Sequence, residues 1–147
     1  MNSNPKLISK TLGFMIARVC TVHHYRARQL LSDVGLHIGQ EMVLQCLWQE
    51  DKLTQSQLAA QIGVQLQTIH KMVRRMEKAE LVTKHADKQD RRVSRIHLTL
   101  KGLELQSAVE DAWAQLERET LVDFTVEEQY ILRRLLPKIE NNLGKNE

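Results

Sequence analysis

Residues 54–79 read TQSQLAAQIGVQLQTIHKMVRRMEKA, and the spacing within this stretch decides the fold. Thr54 suits a helix N-cap, because its hydroxyl can accept a backbone N–H that the first turn leaves unpaired. The short run Gln55–Ile62 then turns Leu58, Ala59 and Ile62 to one side. Gly63 follows; without a Cβ it can take the left-handed conformation at a helix end, so the chain can turn sharply. A second helix is expected from about Leu66 to Ala79, with Ile69, Met72, Val73 and Met76 on one arc. Opposite them lie Gln67, Lys71, Arg74 and Lys78, flanked by His70 and Arg75. Ala59 before Gly63 and Ile69 after it have helix-turn-helix spacing: a small residue lets the helices approach, glycine turns the chain, and a branched residue locks the second helix onto the first.

After Leu81 the apolar period changes from helical to alternating. Val82–Ala86 reads as one strand and Arg92–Leu98 as its partner, with Ser94, Ile96 and Leu98 on one face and Val93, Arg95 and His97 on the other. Asp87, Lys88, Gln89, Asp90 and Arg91 form a charged hairpin tip between them. Thr99 then caps a long connecting helix, 100–119, with Leu103, Leu105, Val109, Ala112, Trp113 and Leu116 on its apolar side. Thr125 with Glu128 forms a capping box that opens a last helix through Ile131, Leu132, Leu135, Leu136, Ile139 and Leu143. Pro137 interrupts this pattern, and a kink near 133–136 is expected because proline removes a backbone donor and crowds the preceding turn.

Toward the N-terminus, helical steps link Leu12, Met15, Ile16, Val19, Val22, His23, Arg26 and Leu30, which predicts a first helix from Leu7 to Leu31 ended by Asp33 and Gly35. A second, from about Ile38 to Gln49, is expected to place Met42, Val43, Cys46 and Leu47 on one side. The fold class is therefore mainly α with a small β wing: a winged helix-turn-helix lobe at 36–100 between terminal helices at 7–32 and 121–144. The terminal helices carry more apolar surface than a small monomer can hide, which predicts a homodimer.

A chain of 147 residues supports one core and a single domain over 1–147. With 42% hydrophobic and 27% charged residues it falls in the ordinary globular range. No run is apolar for the ~18 residues a membrane span needs, and 1–10 lacks the apolar centre of a secretory leader, so a cytoplasmic protein with no membrane partner is expected. The two cysteines, Cys20 and Cys46, have no CxxC spacing and read as reduced thiols. A net charge of +3 conceals an asymmetry: residues 1–64 carry +2, 65–101 carry +6 and 102–147 carry −5. The basic middle coincides with the helix-turn-helix and wing, which is where a polyanion would be held.

A helix offered to the major groove needs hydrogen-bonding side chains at its N-terminal end and cations beside the phosphates. Gln65, Gln67, Thr68, His70 and Lys71 occupy the first region, and Arg74, Arg75 and Lys78 supply the second. Lys88, Asp90, Arg91 and Arg92 are the corresponding wing residues. An ordinary solvated helix face is the competing reading, but the single sign of its charges argues against it.

Several motifs sit together here: Gly35-Leu36 with Gln40, Leu58-Ala59, Val64, Thr68-Ile69, Met76-Glu77, Leu81-Val82, Asp90-Arg91-Arg92, Leu98-Thr99 and Lys101-Gly102. Together they resemble the MarR family of winged helix-turn-helix transcriptional regulators, over roughly 35–102 without a gap. The Asp-x-Arg wing followed by Leu-Thr-x-x-Gly is the most diagnostic part. Two residues depart from the pattern: Gln65 stands where a Ser or Asp cap is usual, and Glu80 where Gly is common. The resemblance implies a homodimer on a palindromic double-stranded operator, with recognition helices in major grooves and wings in minor grooves. It implies that Arg92 is the wing arginine and Asp90 the carboxylate that orients it. Repression is the family default, and members often release DNA when a small, commonly aromatic ligand or an oxidant reaches a cleft between the dimer helices and the DNA-binding lobe.

Cys20, His23, Met42 and Trp48 are the residues here that could line such an effector cleft, although core packing accounts equally well for Met42 and Trp48. Cys20 and His24 at helical i,i+4 spacing could share a metal, but no matching histidine cluster appears at 100–119, so a buried thiol beside interface histidines is preferred and no metal or cofactor is expected. Cys20 near Tyr25 resembles the peroxide-sensing branch of the family, yet Ile38 and Glu41 stand where that branch needs tyrosines. Six histidines accompany no nucleophile elbow, phosphate loop or HExxH-like site, so an enzyme is not expected. A winged helix used only for protein contacts would need neither the +6 stretch nor the wing arginine.

Overall fold

The computed structural model describes residues 8–144. Its elements are α1 (Leu12–Asp33), α2 (Gln40–Gln49), α3 (Gln55–Ile62), α4 (Leu66–Lys78), β1 (Val82–Ala86), β2 (Ser94–Leu98), α5 (Leu100–Thr120) and α6 (Val126–Gly144). This is the mainly helical architecture with a small β wing that the pattern implies.

Local punctuation sets most boundaries. The Thr54 hydroxyl accepts from Gln57 N at 3.1 Å while the Gln57 amide accepts from Thr54 N at 2.8 Å, a complete capping box at the start of α3. Gly63 ends α3 at φ 75°, with its N–H on Ala59 O. Thr99 caps α5 by accepting from Gly102 N at 3.0 Å, and Thr125 with Glu128 forms the reciprocal pair before α6. Pro137 lies inside α6, which nevertheless continues to Gly144.

Three expectations need correction. The first helix starts at Leu12 rather than Leu7, because Thr11 takes the N-cap and accepts from Phe14 N; Leu7 itself lies outside the described residues. On α2, which begins at Gln40 rather than Ile38, the buried arc is Gln40, Glu41, Val43, Leu44 and Leu47, leaving Met42 exposed and Cys46 only half-buried. Position 39 explains this: Gly39 is left-handed at φ 96°, and the buried Glu41 carboxylate turns back to accept its N–H at 2.6 Å. On α5 the buried residues are Gly102, Val109, Ala112 and Leu116, while Leu103 is exposed and Trp113 lies at the surface beside His23.

The main core joins α2, α3, α4 and the wing through Val43, Leu44, Leu47, Leu58, Ile69, Val73, Met76, Val82 and Ile96. A smaller cluster, Ala27, Leu30, Ala112 and Leu116, packs α1 on α5. Arg26 completes that junction by donating from Nε and Nη2 to the Glu119 carboxylate at 2.6 and 2.7 Å. In β1 and β2, antiparallel pairing sets Val82 opposite Leu98, Lys84 opposite Ile96 and His85 opposite Arg95. The free edge of β2 is covered by the α2–α3 loop, where Ile96 N donates to Leu53 O at 2.8 Å.

Candidate nucleic-acid interface

Three fully buried side chains, Ile69, Val73 and Met76, anchor α4 to the core. Burial of each contributes about 1.5–3 kcal/mol, enough to fix the helix's rotation about its own axis. Gln67, Thr68, His70, Lys71, Arg74, Arg75 and Lys78 are consequently all exposed. Arg75 and Lys78 in the last turn also complement the negative end of the helix dipole. Gln65 occupies the N-cap in an extended conformation, but its side chain makes no cap hydrogen bond, so the departure noted in the sequence leaves the first turn without side-chain capping. Thr68, Lys71 and Arg75 line a small cleft of about 190 Å³ with His37 and Gln40, which extends this polar surface onto the start of α2.

The wing tip is organised by two aspartates. Asp87 Oδ1 accepts from Gln89 N at 2.8 Å and Asp90 N at 3.1 Å, while its Oδ2 pairs with Arg95. Arg95 holds the Asp87 carboxyl down to about 2, aided by the two backbone N–H donors. Arg95 also donates to Lys52 O at 3.0 Å, tying the tip to the α2–α3 loop. Asp90 Oδ1 accepts from Arg92 N at 3.0 Å and lies 3.4 Å from Arg92 Nε, whose side chain is 94% exposed. Arg92 and Val93 thus belong to the turn rather than to the strand, which starts at Ser94: the bonds Asp87 N to Val93 O and Val93 N to Asp90 O close the hairpin first. Lys88 and Arg91 are exposed beside Arg92.

A helix with a buried inner face and a mainly cationic outer face, and an arginine-tipped hairpin, are thus fixed to the same core. The MarR family model matches residues 36–94, from the end of α1 to the start of β2. Over this stretch the chain matches the MarR family.

Relatives extend the likeness over nearly the whole chain. The HTH-type transcriptional regulator YsmB of Bacillus subtilis is 27% identical over 145 residues, covering 99% of each protein. The HTH-type transcriptional repressor Rv2887 of Mycobacterium tuberculosis is 27% identical, covering 87% of this chain and 92% of its own. Among solved structures, the PcaV transcriptional regulator of Streptomyces coelicolor in complex with its natural ligand superposes with a TM-score of 0.81 at 23% identity, covering 96% of this chain and 98% of that one. The S. aureus MepR–DNA complex gives 0.80 at 24% identity, covering 90% and 98%. At these identities the structures establish a shared fold.

The MarR-type glycine position before β1 is filled here by Glu80, which adopts φ 60° all the same. The turn is held from outside: Thr99 Oγ1 donates to Glu80 O at 2.6 Å, and Lys101 Nζ to Ala79 O at 2.8 Å. The candidate effector residues are dispersed. His23 lines a cavity of about 550 Å³ with Trp113, Leu116, Leu132, Arg133 and Leu136, but Cys20, Met42 and Trp48 do not. Trp48 Nε1 instead donates to Gly102 O at 3.0 Å, and Cys20 is exposed on α1 of the single chain. Among the described residues no group of three or more His, Cys, Asp or Glu is arranged to hold a metal, and no helix is long and apolar enough to cross a membrane. Sequence reasoning did not single out Asp87, Arg95 or His37 as interface-building residues; the Asp-x-x-Asp spacing of 87 and 90 was the available signal for a side-chain-closed turn.

Proposed function

We propose that this protein is a homodimeric, sequence-specific repressor that binds a palindromic double-stranded operator and is released by a small-molecule or oxidant signal. The observation that carries the reading is the predominantly basic outer face of α4, with Lys71, Arg74, Arg75 and Lys78 against Glu77, held in register by Ile69, Val73 and Met76 beside an arginine-tipped wing. Gln65, Gln67, Thr68, His70 and Lys71 would meet base edges and nearby phosphates, Arg74, Arg75 and Lys78 the backbone, and Arg92, oriented by Asp90, the minor groove. Relatives named as transcriptional regulators and repressors, and a DNA-bound structural neighbour, support it.

Dimerisation is supported by the terminal helices. No residue of α6 is buried in the single chain, and Leu12, Met15, Val19 and Val22 on α1 are exposed together with Val126, Tyr130, Ile131 and Leu135 on α6. Exposed apolar stripes of this extent are covered in a stable soluble protein. The effector reading is supported by the cavity at His23 and Trp113 between α1, α5 and α6, and by a ligand-bound structural neighbour.

Selection of bound duplexes from a random pool tests the whole reading. The expected product is a palindrome with half-sites about 10 base pairs apart centre to centre. Its affinity should fall steeply with salt, by roughly one log unit per log unit of salt for each phosphate neutralised. A flat salt response, or asymmetric preferred sites, contradicts it.

A further inference from the structure

The outward face of the wing carries a histidine pair that the interface above does not use. With Thr83 opposite His97 and His85 opposite Arg95, all four side chains share the face turned away from Ile96 and the core. The rings of His85 and His97 meet edge to face, centroids 4.8 Å apart at 71°, and His85 Nε2 lies 2.9 Å from Thr83 Oγ1. With Lys52, Asp87, Lys88 and Arg95 they line a concavity of about 700 Å³ that reaches the hairpin tip. Three cations against one carboxylate give this lining a net charge of +2 before either histidine is protonated.

A polar cationic concavity with two imidazoles suits a phosphate, and the tip's destination would bring one. The minor groove is only about 6 Å wide, so an inserted hairpin is flanked by both phosphate backbones, one of them on this outward side. We propose that the His85–His97 face of the wing is a second phosphate-contacting surface, seated on the DNA backbone beside the groove that the tip enters, and that its engagement takes up protons on the histidine pair. This rests on the DNA-binding reading above.

In the free protein, burial pushes His97 down, and His85, Lys52 and Arg95 oppose its charging, with Asp51 alone favouring it. Asp87, the carboxylate of the cluster, is occupied by Arg95. A phosphodiester seated on the pair supplies the missing negative charge, so each imidazole that gains a solvent proton becomes an imidazolium donating N–H to a phosphate oxygen. By linkage, affinity for duplex then rises as pH falls.

The test is fluorescence anisotropy on the selected operator at constant ionic strength from pH 7.5 to 5.5. The wild type should tighten on acidification by up to about tenfold per pH unit for each proton taken up. His85→Gln/His97→Gln should lose that slope, whereas His70→Gln, on the α4 face, should keep it. An undiminished slope in the double variant overturns the proposal. If that variant fails to fold, imidazole resonances of the wild type decide: both pKa values should rise when duplex is added, and unchanged values overturn the assignment. A protein that binds duplex with a flat pH response refutes this inference alone; one that binds no duplex at any pH refutes the DNA-binding reading with it.

Discussion

Replacing Gly102 by alanine tests how the lobe is joined to the connecting helix. A Cβ at this position would sit far inside contact distance of the Leu81 carbonyl oxygen, 3.2 Å from its carbon and 3.3 Å from Leu98 Cδ2. The first two neighbours are backbone, so relief requires moving α5 away from the Leu81 turn rather than rotating a side chain. Overpacking of that kind costs about 1–3 kcal/mol. The Trp48 indole bond to Gly102 O, 3.0 Å long, would stretch with it. Its loss adds about 1 kcal/mol. Against this, alanine favours a helix over glycine by about 1 kcal/mol. The net expectation is a destabilisation of about 1–3 kcal/mol, or roughly 3–10 °C in Tm for a chain of this size. Gly13 in α1 has no neighbour within 4 Å of a built Cβ and provides the opposite sign. Gly13→Ala should stabilise by about 0.5–1 kcal/mol. Urea titrations at one fixed protomer concentration measure both. A Gly102→Ala protein as stable as the wild type would refute the close-approach argument.

Gln67→Ala should relax base preference at one position per half-site at a cost of about 1–3 kcal/mol in operator affinity, read by competition among single-base variants of the selected site. Arg92→Ala, whose side chain is almost wholly in solvent, should leave Tm unchanged, weaken binding to nearly all sequences and reduce the salt slope by about 1; unchanged affinity would make the hairpin only a solvated turn. Asp87→Asn should flatten the acid limb of the stability curve. With the folded carboxyl at about 2 against an ordinary 3.8, the unfolded chain takes up its proton first, so this contribution is complete above the ordinary value and fades as pH falls toward 2. An acid limb identical to the wild type in denaturation series from pH 5 to 2 would exclude the Arg95 pairing as a stabilising contact.

Features fixed by local chemistry were legible in the sequence. Thr54, Gly63, Thr99 and the Thr125–Glu128 pair each mark a boundary through a hydrogen bond or backbone conformation that needs no distant partner, and the helices they bound start or stop where they stand. Features set by tertiary contact were not. Which side of α2 faces inward depends on the Gly39–Glu41 bond and on α5, and Met42 and Leu44 cannot be ranked by spacing alone. At the interface, the α4 arc followed directly from periodicity because its inner face is so sharply defined. The wing cluster did not: His85 and His97 are twelve residues apart and meet diagonally across strands, so their contact exists only once the register is known.

The bonds around Glu80 have a mechanical consequence. Thr99 and Lys101, at the head of α5, grip the carbonyls of Ala79, Glu80 and Leu81 that immediately follow α4, while Arg26 grips Glu119 at the foot of the same helix. Helix α4 is thus pinned to one end of a rigid rod whose other end is pinned to α1. At 21 residues the rod is about 31 Å long, so a tilt of 5° about its foot carries its head through about 3 Å. That is comparable to the whole length of a hydrogen bond to a base edge. A small rotation of α1 against the foot of α5 would be geared up along the rod, and on the DNA-binding reading proposed above it would be large enough to break a base contact from the far side of the molecule.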